Sequence, residues 1–132
     1  MGLNEYINEQ RRSIYAGAKA KRKQTDIVRA CIKAARLQPY ACPVEIRIVW
    51  IEGKRKGKVR DIDNVRFGAK FVLDALQEEG IIPNDNPIWV RHIFDQFRYN
   101  EKNPRIQVAI DEYDPTGRHV FYAPVTGLKE LR

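Results

Sequence analysis

Val65, Ala69, Val72, Leu73 and Leu76 recur at the three- and four-residue spacing of one helix face. This predicts an amphipathic helix over residues 64–79, with Gly80 placed to cap its C-terminus. Such a helix is about 24 Å long at 1.5 Å per residue, and its apolar stripe must be buried against something. The stretch just before it offers a surface. From Pro43 to Ile51, the apolar residues Val44, Ile46, Ile48 and Trp50 alternate with Glu45 and Arg47, the period of a strand with one buried face. A strand followed by a helix lying over it is the frame into which the other segments must fit.

Two more strands follow the helix. Ile88 to Arg98 carries Trp89, Val90, Ile93, Phe94 and Phe97, and Arg105 to Glu112 carries Ile106, Val108 and Ile110. The polar turn between them reads as the link of an antiparallel pair. Trp89 and Phe97 fit the core better than base stacking, although aromatic rings serve both purposes. Ahead of the first strand, residues 3–23 predict a helix broken near Gly17. Thr25 predicts the N-cap of a second helix, with Ile27, Val28, Cys31, Ile32, Ala35 and Leu37 as its stripe and Pro39 as its end. The order implies a single α+β domain, with a mixed or mainly antiparallel sheet covered by helices. It comprises a basic helical arm (1–40), a core (43–112) and a C-terminal tail (113–132). No apolar run approaches the 18 residues of a membrane span and no secretory signal opens the chain. Cys31 and Cys42 lack zinc-site spacing and read as reduced and structural, which fits a cytoplasmic protein.

Charge separates the two halves. The net charge is +7, but residues 1–60 hold 15 Lys and Arg against 5 Asp and Glu, while residues 61–132 hold 9 against 12. A basic half next to acidic motifs suits a protein that grips a polyanion. The basic runs Lys19, Lys21, Arg22, Lys23 and Lys54, Arg55, Lys56, Lys58, Arg60 are candidate phosphate contacts, which position a duplex without reading its sequence. The second run leads straight into Asp61. Solvated helix and loop faces account equally well for the first run.

Asp61 and Asp63 stand one residue apart at the helix start, and Asp85 follows the helix. In extended chain, residues i and i+2 share a side, so the first two could aim at one point. At about 4 Å and an effective dielectric near 20, like carboxylates repel by on the order of 4 kcal/mol per pair. A cation or a shared proton relieves that cost, and oxygen-only donors suit Mg²⁺ or Mn²⁺. The competing account makes Asp63 or Asn64 a helix cap, Asp61 a partner of Arg60, and Asp85 a turn residue. Lys70 lies about two helical turns beyond Asp63 and could stabilise charge on a phosphoryl group. Asp74, one turn further, reads as its ion-pair partner or as a cap.

Asp61-x-Asp63-Asn64, Lys70, Asp74-Ala75-Leu76, Gly80 and Asn84-Asp85 together resemble the core signature of the RusA-like crossover junction endodeoxyribonucleases. These cut four-way (Holliday) DNA junctions and are common in phages and prophages. The resemblance covers about residues 43–112. It implies metal-binding aspartates at Asp61, Asp63 and Asp85, a catalytic lysine at Lys70, a homodimer, and action in a bacterial host cytoplasm. The best-known form has its lysine four residues after the second aspartate. Here the gap is seven, as one extra helical turn would make it. The family's loop often carries two adjacent aspartates, and here the first position is Asn84.

The resulting expectation is a Mg²⁺-dependent endonuclease, with Mn²⁺ as a substitute, acting on branched double-stranded DNA. Asn64 would support the metal ligands. No membrane and no small-molecule cofactor is expected. The alternatives are a junction- or nucleic-acid-binding module that does not cleave, and a nuclease of broader taste acting on flaps, forks or RNA.

Overall fold

The computed structural model describes residues 14–54 and 57–116. Its elements are helix α1 (Ile14–Ala35), strand β1 (Val44–Glu52), helices α2 (Ile62–Arg66) and α3 (Ala69–Glu78), and strands β2 (Val90–Tyr99) and β3 (Arg105–Glu112). The three strands form one mixed sheet in the order β2-β1-β3, an α+β arrangement as expected.

The expected β2–β3 hairpin does not form. β2 pairs parallel with β1, Ile46 opposite Ile93 and Trp50 opposite Phe97. β3 pairs antiparallel on the other side of β1, Ile46 opposite Ile110 and Ile48 opposite Val108. The cause lies in the connections. The helical crossover returns the chain to the start of β1, so β2 must run parallel to it. Residues 100–104 then step over the far end of β1, where the Asn100 N–H donates to the Glu52 carbonyl (2.8 Å).

The apolar positions of the strand resolve as the sequence predicts: Val44, Ile46, Ile48 and Trp50 are at most 1 % exposed and meet Val65, Ala69, Val72, Ala75 and Leu76 from the helices. The polar positions divide: Arg47 is exposed, but Glu45 is 0 % exposed, because β1 is the central strand and is covered there on both faces. Ile81 and Ile82 close the same core. Phe97 lies at the sheet edge, 37 % exposed, outside that cluster.

The predicted 64–79 helix is two helices. It breaks at Phe67–Gly68, where Lys70 and Phe71 donate to the carbonyls three residues back, at Phe67 and Gly68. Gly68 packs on the Trp50 indole so closely that a Cβ there would lie 3.1 Å from Cζ3. The large core tryptophan thus shapes the helix above it.

The two expected N-terminal helices are one over the described span. Thr25 is no N-cap: it is 2 % exposed inside α1, and its hydroxyl donates to the Lys21 carbonyl one turn back (2.9 Å). The predicted stripe also fails in part. Ile32 is buried and Val28 packs against the core, whereas Ile27 is 52 % exposed and Cys31, Ala35 and Leu37 face outward. Thr25, Val28 and Ile32, three and four residues apart, form the strip through which α1 meets the core, and ion pairs to α3 flank it.

Candidate active site

Asp61 occupies the N-cap position of α2 in extended conformation, but its side chain makes no capping bond. Asp63 is already inside the helix, and its Oδ1 accepts the Asn64 N–H (2.9 Å). The i/i+2 alternation of extended chain therefore ends at Asp61. Both carboxylates are exposed. Lys70 is exposed in the first turn of α3. Asp74 pairs with Lys21 of α1 (3.3 Å) rather than serving as the partner expected for Lys70.

Asp85 is exposed on the loop between Ile82 and β2. The topology separates it from the first two. Arg60, next to Asp61, binds Glu52 at the end of β1 through two nitrogens (2.6 and 3.1 Å). Asp85 instead leads into Trp89, whose carbonyl accepts from the Val44 N–H (2.8 Å) at the start of β1. Nine residues of strand separate those ends, roughly 26 Å at the usual strand rise. Among the described residues no group of three or more His, Cys, Asp or Glu is placed to hold a metal ion.

Arg60, the residue before Asp61, lines a pocket of about 240 Å³ together with Glu52, Lys54, Pro104, Arg105 and Ile106. Three cations surround one carboxylate, a balance that favours an anion. Lys54 is exposed at its wall and Lys58 is exposed on the loop that follows, while Arg55 and Lys56 lie outside the described residues. Arg105 is absent from the basic runs because it stands alone, after Pro104 at the start of a strand; only the fold brings it to this pocket.

The basic arm is partly spent within the chain. Arg22 binds Glu78 (2.8 Å) and Asp26 (2.9 Å), Arg29 binds Glu79 (2.9 Å), and Lys33 also reaches Glu79 (3.4 Å). The Arg22 guanidinium holds the Glu78 carboxyl below its ordinary range, and Arg29 does the same for Glu79. Lys21 and Arg22 therefore fasten α1 to α3, while Lys19 and Lys23 of the same run are exposed.

A network not evident in the sequence supports α2. Asp95, on β2, accepts the Trp50 indole N–H (2.7 Å) and the Arg66 Nε (2.6 Å). Arg66 lies one turn after Asp63, so the helix bearing the motif is anchored to the sheet. An acid inside the apolar run Ile93-Phe94-Asp95-Gln96-Phe97 was the available signal.

No described helix is long and apolar enough to cross a membrane. The chain matches no curated protein. Residues 2–111 match the family model described as Endodeoxyribonuclease RusA. With most of its length under that match, and the Asp61–Asp63 motif on a braced helix inside it, the chain belongs to the RusA endodeoxyribonuclease family.

Proposed function

We propose that this protein is a Mg²⁺-dependent endonuclease that resolves four-way DNA junctions by hydrolysing phosphodiester bonds. The observation that carries this is the exposed pair Asp61 and Asp63, following directly on Arg60 of a cationic pocket, in a chain of an endodeoxyribonuclease family. Their oxygen donors suit Mg²⁺ or Mn²⁺, and the Asp61 carboxylate is not committed to capping its helix. When bound, such an ion lowers the pKa of a water and neutralises charge on the phosphoryl group. Lys70 contributes positive charge toward the reacting phosphate, and Asn64 supports the ligands. Lys54, Lys58 and Arg60, with Lys19 and Lys23, contact flanking phosphates.

Within one chain Asp85 lies toward the other end of β1, away from the helix start that carries Asp61 and Asp63. Symmetric cutting of a junction calls for a two-fold dimer. In such a dimer Asp85 of a second copy completes the set around Asp61 and Asp63.

The test is a labelled four-way junction with Mg²⁺. The protein nicks it, and Asp63→Asn binds with unchanged affinity while cleavage falls by about a hundredfold or more. Cleavage at the parental rate by Asp63→Asn removes the assignment. Binding without nicks by the parent protein favours a non-cleaving module, and equal cutting of flaps or forks favours the broader nuclease.

A further inference from the structure

The helices pack on the face of the sheet that carries Val44, Ile46, Ile48 and Trp50. Alternation sends the intervening side chains to the other face, and the register sorts them into rows across the three strands. Arg47 stands between Phe94 and Ala109, Val49 between Gln96 and Gln107, and Ile51 between Arg98 and Arg105. Arg47, Val49, Phe94, Gln96, Gln107 and Ala109 line one cavity of about 330 Å³, within the size range of small-ligand sites.

The chemistry of these rows is graded. Val49 and Ala109 give the cavity an apolar floor. Phe94 supplies an aromatic wall, backed by His92, whose ring stacks on it with centroids 5.4 Å apart and planes 8° from parallel. The carboxamides of Gln96 and Gln107 are exposed, and each offers donors and an acceptor. One row further, about 7 Å along the strands, Arg98 and Arg105 are exposed, and among the described residues neither forms an ion pair. Arg105 donates one N–H to the Asn103 carbonyl (2.9 Å) and keeps its remaining guanidinium donors. Toward the opposite end Asp111 is held by Arg47 (2.6 Å) and Glu45 is buried. Uncompensated positive charge therefore gathers at the Arg98 and Arg105 end of the face.

We propose that this face of the sheet binds single-stranded DNA, one unpaired base entering the cavity against Phe94 and the neighbouring phosphates meeting Arg98 and Arg105. A base presents a flat apolar face and a polar edge. The floor and the aromatic wall suit the face, and stacking on an aromatic ring tolerates any base. The two carboxamides suit the edge, because each can donate and accept. In a duplex the edges are paired and the faces stacked, so only an unpaired base fits. The charge gradient fixes the direction, with phosphates away from Asp111. DNA is the polymer that the chain's family acts on. Asp61, Asp63 and Lys70 belong to the helices on the other face, so the proposal does not rest on cleavage.

The test uses the full chain in EDTA, where hydrolysis plays no part, and a fluorescent oligothymidylate followed by anisotropy. The parent protein binds it. Phe94→Leu, which keeps an apolar side chain but removes the ring, weakens that binding by about tenfold and leaves affinity for a linear duplex unchanged. Arg98→Gln with Arg105→Gln lowers the slope of log affinity against log salt by about 1.4, the value for two phosphate contacts on a single strand. Independently of any variant's folding, ultraviolet light links an oligonucleotide carrying 5-iodouracil to Phe94 or His92 of the parent protein, located by peptide mass spectrometry. A parent protein that does not bind the single strand overturns the proposal. So do crosslinks confined to other segments, equal loss of duplex binding by Phe94→Leu, or a salt slope that the arginine pair does not change. Loss on Arg98→Gln with Arg105→Gln alone, with Phe94→Leu unaffected, reduces the face to a phosphate contact and removes the base site.

Discussion

Arg66 and Asp95, on different layers of the fold, are joined by a bond of 2.6 Å from Nε to Oδ2, while the other carboxylate oxygen holds the indole of Trp50 at 2.7 Å. One acid thereby ties the motif-bearing helix, the central strand and an edge strand together. Asp95→Leu strands the N–H of Trp50, which is 1 % exposed, and is expected to cost about 2–3 kcal/mol in urea unfolding. Asp95→Asn retains one acceptor and costs less. If Asp95 positions α2, Asp95→Asn also raises the Mg²⁺ concentration needed for half-maximal cleavage without altering junction binding.

Gly68→Ala is a test of the helix break. A Cβ 3.1 Å from the Trp50 ring forces either the indole or the Phe67–Gly68 turn to move. Destabilisation of about 1–3 kcal/mol is expected, whereas an uninterrupted helix would gain stability from the same change. Chemical unfolding, with tryptophan fluorescence reporting on the ring, distinguishes the two.

Mixing two inactive variants tests where the third carboxylate comes from. In a dimer whose sites combine Asp61 and Asp63 of one copy with Asp85 of the other, Asp63→Asn mixed with Asp85→Asn yields heterodimers. One site of each then carries all three aspartates. Nicking of one junction strand reappears on mixing, while each variant alone is inactive. If every site drew its aspartates from a single copy, mixing would restore nothing.

Acid weakens the seam between α1 and α3. Glu78 and Glu79 sit below the ordinary carboxyl value of 4.5, chiefly through hydrogen bonds from Arg22 and Arg29 respectively. A depressed carboxyl contributes stability that is complete above its unfolded pKa and is lost as pH falls through its folded one. Stability therefore declines as pH drops below about 4.5. Glu78→Gln with Glu79→Gln lowers stability at neutral pH and flattens the decline, as urea midpoints across the acid range would show.

Local periodicity made much of the fold legible. Val44, Ile46, Ile48 and Trp50 announce a half-buried strand, and Val65 to Leu76 announce the apolar helical face above it, because each pattern depends only on spacing along the chain. Thr25 shows the limit of such reasoning: the same hydroxyl can cap a helix or bond back within one, and only the neighbouring turn decides.

The sequence by itself determined the α+β class, the core side of β1, the Asp61–Asp63 motif and the basic chain leading into it, since all of these are written in adjacent residues. Tertiary structure alone decided that β2 and β3 flank β1, that Lys21 and Arg22 serve α3, that Asp95 braces Arg66, and that Asp85 lies toward the opposite end of the central strand. Those outcomes depend on where a crossover returns the chain and which charges then meet. Spacing within a segment carries no record of either.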